Sequence, residues 1–164
     1  MHNETERAVV KLMGRLTEAW ERGDGEAYGA LFAEDAQYVS AVGERLYGRK
    51  AIAESHQQIF DTFFKKTRLG RGYPARMREI RPDVLLVEAA GSVLFPGETE
   101  QRVAPNGLMT LVVAREDADW RIVSFQNTPT GRFRTPRFLW RYMRSRLSAS
   151  TRSVSKRSST SSKS

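Results

Sequence analysis

Few side chains in this chain could carry out chemistry, and His56 is the first of them. It falls in a row of helix-spaced apolar residues, with Ile52, Ile59, Phe60 and Phe63, so its imidazole is expected to face the interior. A free imidazole has a pKa of about 6.5 and burial lowers it, so a histidine in a pocket could accept or donate a proton near neutral pH. The alternative is a core histidine whose ring bonds a backbone carbonyl. Both interpretations place His56 inside the fold.

Composition and spacing exclude several other chemistries. The chain has no cysteine and only two histidines, far apart, so disulfides, thiolate nucleophiles and a metal site are not expected. The segment GERLYGRK, residues 43–50, has the outline of a phosphate-binding loop, but Arg49 stands where lysine is needed and Ala51 where Ser or Thr would hold magnesium. No G-x-G-x-x-G motif follows a strand, so no dinucleotide is expected. The sequence therefore predicts no bound cofactor.

The sequence predicts three helices within its first 66 residues. A helix over residues 4–22 is predicted from four apolar residues at helical spacing, Val9, Met13, Leu16 and Trp20. Gly23 favours the left-handed conformation of a helix end, and Asp24 can cap a second, short helix. The apolar side of that helix is expected to consist of Tyr28, Leu31 and Phe32. A third helix over residues 49–66 then carries His56.

The rest of the domain is predicted to be β-structure. A strand over residues 36–42 precedes the third helix, and after residue 68 the apolar period becomes two residues. Four further strands form an antiparallel meander. The first runs from residue 73 to a turn at 81–83, and the others lie at about residues 84–95, 102–115 and 120–128. In the second of these, alternate residues from Leu85 to Phe95 are expected on one face. Because both sheet faces are largely apolar, one can line a cavity and the other can meet a second copy, which predicts a homodimer.

The formal charge of +8 is confined to the end of the chain. Residues 132–164 contain ten Arg and Lys and no Asp or Glu, whereas residues 1–131 contain 17 basic and 19 acidic residues. We divide the chain into a domain over 1–131, a basic amphipathic helix over 132–147 and a disordered tail over 148–164. The arginine face of that helix could bind an anionic membrane or nucleic acid. Docking of its aromatic face on the domain or on its dimer partner, with the arginines solvated, is the interpretation we favour, and no specific nucleic acid is expected.

No apolar run reaches membrane-spanning length, and the first ten residues lack the apolar core of a signal peptide. A cytoplasmic protein is therefore expected.

Four segments in order, AWERGD, ALFAEDAQYV, GERLYGRKAI and DWRIVSFQNT, resemble the SnoaL-like branch of the nuclear transport factor 2-like superfamily, with the SgcJ/EcaC family as the nearest group. The resemblance covers about residues 5–130. It implies an α+β cone in which three N-terminal helices lie over a strongly curved antiparallel sheet. This fold hosts isomerases, cyclases, proteins called oxidoreductases, binding proteins and assembly domains, so the fold alone does not define an activity.

The catalytic groups of steroid isomerases in this superfamily are not matched here. The position of their carboxylate base falls on Ser40, that of a tyrosine donor on Leu16, and that of a second acid near Gly107. Where SnoaL-type cyclases use a late carboxylate, this chain has Gln126 and Asn127. The resemblance therefore implies a pocket more strongly than proton abstraction by a carboxylate.

The same resemblance implies which residues face the pocket. His56 takes the position of a pocket-lining aromatic residue, as proton donor or base. Phe125 and Asn127 share the inward face of the last strand, where the Asn127 amide could orient a ligand or bond the strand end near Pro129. Ser40 is expected to be a weaker polar contact. The other predicted wall residues are Tyr28, Tyr38, Phe60 and Met109.

Asp35 and Trp20 each allow two interpretations. Asp35 could be a carboxylate at the mouth of the cone, although a turn residue that closes the second helix is the interpretation we favour. Trp20 is expected to pack in the core rather than stack on a ligand. The sequence thus predicts a domain that binds a small, mostly apolar metabolite and could transform it without a cofactor. The alternative is a non-catalytic dimeric interaction module whose cavity is filled by its own side chains.

Overall fold

The computed structural model describes residues 2–70, 73–100, 105–131 and 135–144, so the predicted tail over 148–164 lies outside the described residues. The helices are α1 (His2–Arg22), α2 (Gly25–Gly29), α3 (Arg49–Asp61) and α4, formed by residues 136–144. The strands are β1 (Phe32–Val39), β2 (Arg45–Tyr47), β3 (Arg68–Leu69), β4 (Tyr73–Arg81), β5 (Val84–Gly91), β6 (Val93–Leu94), β7 (Gly107–Glu116) and β8 (Asp119–Pro129). The described part thus has four helices, because α4 follows the sheet in addition to the three predicted before it.

Six strands form one curved mixed sheet in the order β2-β1-β8-β7-β5-β4. All neighbours are antiparallel except β1 and β8, which pair in parallel. The prediction of a purely antiparallel sheet is therefore wrong at this pair. Parallel strands need a long crossover, and α3 with the intervening meander supplies one. Sequence periodicity could not show this, because it reports the faces of a strand and not its neighbours.

The strand predicted over residues 84–95 divides at Ser92. β5 ends at Gly91, and β6 pairs with β3 in a separate two-stranded sheet. The Ser92 carbonyl accepts a hydrogen bond from the Gly70 amide at 2.8 Å, and the Asn106 side chain bonds both backbone groups of Val93, at 2.9 and 3.2 Å. These bonds replace the main-sheet pairing, so the predicted alternation fails beyond Gly91 and Leu94 is buried.

Two boundaries near the start of the sheet also differ from prediction. β1 begins at Phe32, which was expected on the second helix, because the Leu31 carbonyl already accepts a hydrogen bond from the Ile122 amide at 3.0 Å. Asp35 consequently lies inside β1 with an exposed side chain, so its interpretation as a turn residue is wrong. α3 ends at Asp61, five residues before the predicted end, and residues 62–66 form turns.

The core lies between the helices and one face of the sheet. Alternate residues of β5 and β7 are fully or almost fully buried there, in agreement with the two-residue period: Leu85, Val87, Leu111 and Val113. On β8 the buried residues Ile122 and Phe125 are three apart, because the pairing of β7 with β8 shifts register between Val112 and Val113. From α1, Val9, Leu12 and Leu16 pack against this face. Each such side chain contributes roughly 1.5–3 kcal/mol relative to an exposed one.

Arg49, the residue that breaks the phosphate-loop pattern, ties α3 to the sheet. Its Nε donates a hydrogen bond to the Phe32 carbonyl at 2.8 Å, and one of its terminal nitrogens lies 3.3 Å from the Glu34 carboxylate. Because Glu34 is 85% exposed, the ion pair contributes little and the backbone bond is the main contact.

The opposite face of the sheet mixes polar and apolar side chains. Exposed Arg76 and Glu88 lie on neighbouring strands, beside the partly exposed Leu86 and Val112 and the 51% exposed Leu108. The homodimer expected through this face stays a prediction.

Candidate functional site

Two small adjoining chambers lie between the helices and the inward face of the sheet. The main chamber has a volume of about 80 Å³, and the second, which we call the His56 chamber, about 60 Å³. Trp20, Tyr38, Val93 and Asn127 line both, so the chambers share a wall. The walls of the main chamber are mostly apolar and include Met13, Leu16, Tyr28, Met109 and Phe125.

α4 closes the His56 chamber. Phe138 and Tyr142 line it together with Ser40, His56 and other residues of the domain. The ring of Tyr142 is 5.6 Å from that of Phe63 and 5.9 Å from that of Phe64, and Phe138 packs edge-on against Phe63 at 5.2 Å. The aromatic face of α4 is therefore part of the wall of the cavity.

His56 is held in one orientation by a hydrogen bond and by ring stacking. It is 2% exposed, and its Nδ1 lies 2.8 Å from the Ile52 carbonyl oxygen. Because a carbonyl oxygen only accepts, Nδ1 must carry a hydrogen, so Nε2 is the acceptor nitrogen whenever the ring is neutral. The ring stacks on Tyr28 at 4.0 Å and meets Tyr38 edge-on at 5.1 Å. The position of His56 allows both a structural and a chemical role.

Tyr28 and Tyr38 bring two hydroxyls into the same interior. They are hydrogen-bonded to each other. Burial raises the pKa of Tyr28, and the bond from Tyr38 offsets part of that rise. The pKa of Tyr38 is raised as well, first by burial and then by Tyr28. Both hydroxyls remain protonated at neutral pH, and because Tyr38 donates its hydrogen to Tyr28, the Tyr28 hydroxyl is the one that can donate to a further group.

These raised pKa values predict a loss of stability in alkali. Unfolded tyrosines ionise near pH 10, whereas the folded ones hold their protons, so the free energy of unfolding should fall as the pH rises above about 10. The slope should reach roughly 1.4 kcal/mol per pH unit for each tyrosine. Urea denaturation from pH 8 to 11 should show a shallower slope for Tyr38→Phe than for the wild type. Equal slopes for the two proteins would contradict a raised pKa of Tyr38.

Asn127 supplies an unusual polar atom. Its Oδ1 is fully buried and has no hydrogen-bond partner within the described part of the chain. The residue pairs with Met109 across β7 and β8 and faces both chambers. Gly107 leaves room for it, because a Cβ on Gly107 would lie 3.0 Å from that Oδ1. A buried acceptor without a partner costs about 1–3 kcal/mol, so a bound molecule that donates a hydrogen bond here would relieve a penalty.

The other predicted site residues are distributed unevenly. Ser40 lines the His56 chamber, but its hydroxyl oxygen accepts backbone amides of its own loop, from Glu44 at 3.2 Å and Val42 at 3.4 Å. Phe60 packs against His56 and Trp20 behind the chamber walls. Tyr28, Tyr38, Met109 and Phe125 line the main chamber. Their roles as ligand contacts stay predictions.

Three chamber-lining features were not expected from the sequence. Trp20 lines both chambers, and its indole nitrogen donates to Thr67 Oγ1 at 3.0 Å. Asn106, which is 2% exposed, borders the main chamber while it holds β6. Closure by Phe138 and Tyr142 is the third feature. The only available signal was the apolar face of the final helix, which predicts burial without saying against what.

Four helices on one face of a curved mixed sheet, with an internal cavity, define a cystatin-like α+β fold. Solved structures with that fold are similar to this chain. One is a domain of unknown function from Nostoc punctiforme PCC 73102, with 30% identity, a TM-score of 0.70 and coverage of 92% of this chain and 96% of that chain. Another is a protein of Caulobacter vibrioides, with 22% identity, a TM-score of 0.63 and coverage of 79% and 92%.

Residues 9–128 match the SnoaL-like domain family, and the chain belongs to that family. A candidate scytalone dehydratase of Novosphingobium aromaticivorans DSM 12444 shares the fold, with 18% identity, a TM-score of 0.64 and coverage of 79% of this chain and 87% of that chain. No curated protein matches the chain.

Two further observations bear on the kind of site. Across the described ranges, no three His, Cys, Asp or Glu side chains are grouped so that they could hold a metal ion. No described helix is long and apolar enough to cross a membrane.

Proposed function

We propose that the chain binds a small, mostly apolar molecule that donates one hydrogen bond to Asn127. The observation that carries this proposal is the buried Asn127 Oδ1 without a partner, on a wall shared by two chambers. The surrounding wall is aromatic and aliphatic, so it favours an apolar body, and a single polar group would fix its orientation. Membership of the SnoaL-like family supports a ligand in this cavity.

The more specific part of the proposal is that the protein also catalyses a reaction of the molecule that it binds. Nε2 of a neutral His56 is the proposed proton acceptor, and the protonated Tyr28, which accepts a hydrogen bond from Tyr38, is the nearby donor. The fold shared with a candidate dehydratase is compatible with proton transfer that needs no cofactor. If a co-purifying molecule is identified by native mass spectrometry, the wild type should turn it over, and His56→Phe should bind it without turnover.

A non-catalytic module with a filled core is the second candidate, and the small volumes favour it. A cavity that holds benzene measures about 150 Å³, so a ligand of that size would have to occupy both chambers. We also propose that the chain is nearest to the SgcJ/EcaC group, which rests on the sequence resemblance. A homodimer is proposed as well, and it rests on the apolar residues of the outer sheet face.

Two nearly isosteric probes, phenol and toluene, test the leading function. In a purely apolar cavity toluene should bind more tightly, because an unpaired buried hydroxyl costs about 1–3 kcal/mol. With Asn127 as acceptor, we expect phenol to bind at least as tightly as toluene in isothermal titration calorimetry. Binding of neither probe, with unchanged NMR signals for the chamber residues, would favour the filled core.

A further inference from the structure

α4 has one buried face and one exposed face. Tyr142 is 7% exposed and anchors the helix against Phe63 and Phe64. On the other side, Trp140 is 60% exposed and Met143 is 57% exposed. Two large apolar side chains thus face solvent on a helix that is already docked, and nothing within the domain requires them there.

Three arginines share that exposed side. Arg137, Arg141 and Arg144 follow each other at helical spacing and line a shallow groove of about 600 Å³, which we call the arginine groove. The guanidinium of Arg144 lies 5.2 Å from the centre of the Trp140 ring. The described residues place no carboxylate within ion-pair distance of Arg137 or Arg141. The other residues that line the groove are Thr62, Phe63, Phe95 and Trp140.

The charge of the sequence around α4 has the same sign. Residues 132–164 contain ten basic and no acidic residues, whereas the preceding 131 residues have a slight acidic excess. A partner with dense negative charge would therefore be attracted most strongly to this end of the molecule.

We propose that α4 docks the protein on an anionic membrane surface. The arginines would bind lipid phosphates, while Trp140 and Met143 would lie at the boundary between headgroups and acyl chains, where tryptophan is favoured. A single exposed aromatic side chain beside methionine fits a lipid interface better than single-stranded nucleic acid, which stacks successive bases on several aromatic platforms. Attachment is peripheral, and it is independent of the function proposed for the cavity.

Co-sedimentation of the full chain with vesicles tests this docking. We expect binding to phosphatidylcholine vesicles containing about 30% phosphatidylserine to be at least tenfold tighter than to pure phosphatidylcholine, and to weaken as NaCl is raised from 0.1 to 0.5 M. The double variant Arg137→Gln/Arg141→Gln should bind roughly 25-fold more weakly, since each arginine near an anionic surface contributes about fivefold. Tryptophan fluorescence should shift to the blue on binding in the wild type and not in Trp140→Phe.

A matched control removes the same charge elsewhere. Arg76→Gln/Arg78→Gln alters two exposed arginines of β4 and should retain nearly full binding. The proposal is overturned if both double variants lose affinity equally, if Arg137→Gln/Arg141→Gln binds like the wild type, or if pure phosphatidylcholine binds as well. It is also overturned, in favour of nucleic acid, if a single-stranded oligonucleotide competes fully with the vesicles and the same α4 variants abolish its binding.

Discussion

Replacing Gly25 by alanine is expected to lower the free energy of unfolding by about 3 kcal/mol, because α2 and α3 touch at this residue. An added Cβ would lie 2.6 Å from both the Ala53 carbonyl oxygen and the Gln57 amide nitrogen, which are backbone atoms of α3. Backbone cannot rotate away as a side-chain end can, so the helices must separate. Urea denaturation at pH 7 measures the change.

Gly14 provides the matched control. It is an exposed residue in the middle of α1, and an added Cβ would meet nothing within 4 Å. Gly14→Ala should therefore raise the free energy of unfolding by about 1 kcal/mol, through helix propensity alone. If both glycine variants change stability in the same direction, the close approach of α2 and α3 is not as described.

Replacing Asn127 by leucine is expected both to raise the free energy of unfolding and to reduce the preference for phenol over toluene. Leucine has nearly the same shape and removes the buried acceptor, so the unliganded variant should gain about 1 kcal/mol. The ratio of phenol affinity to toluene affinity should fall at least tenfold, because the hydroxyl of phenol loses its partner. Urea denaturation and calorimetry give the two values separately.

The change in stability and the change in the affinity ratio together show whether the Asn127 amide binds a ligand or has a structural role. If the Asn127 amide bonded the strand end near Pro129, its loss would destabilise the protein and leave probe selectivity unchanged. Gln126→Leu is the control, because this neighbouring amide is exposed on the other face of β8. It should alter neither the phenol-to-toluene ratio nor the thermal stability of the phenol complex.

Local patterns predicted much of this fold. Periodicity found α1 and most of α3, and it placed His56 in the interior, because one face of each element must be apolar to be buried. The family resemblance placed Phe125 there. The Gly23 and Asp24 break also lies where it was expected, with Asp24 accepting a hydrogen bond from the Ala27 amide at 2.8 Å.

What could not be predicted depends on contacts between residues distant in sequence. The parallel pairing of β1 with β8 joins strands separated by about half of the chain, and the division at Ser92 depends on Asn106, which is 14 residues further along. Asn127 was chosen as a candidate from the sequence. That its side-chain oxygen is buried without a partner could not be predicted, because it depends on the fold, which places Gly107 beside it. The sequence likewise did not show that the Ser40 hydroxyl accepts hydrogen bonds from backbone amides of its own loop.

The most direct test of the proposed cavity is a crystal structure of the protein soaked with phenol. We predict phenol density across the two chambers, with its oxygen about 2.5–3.0 Å from the side-chain amide of Asn127. An unchanged cavity in which water or a protein side chain meets Asn127, with phenol absent or bound elsewhere, would contradict the account.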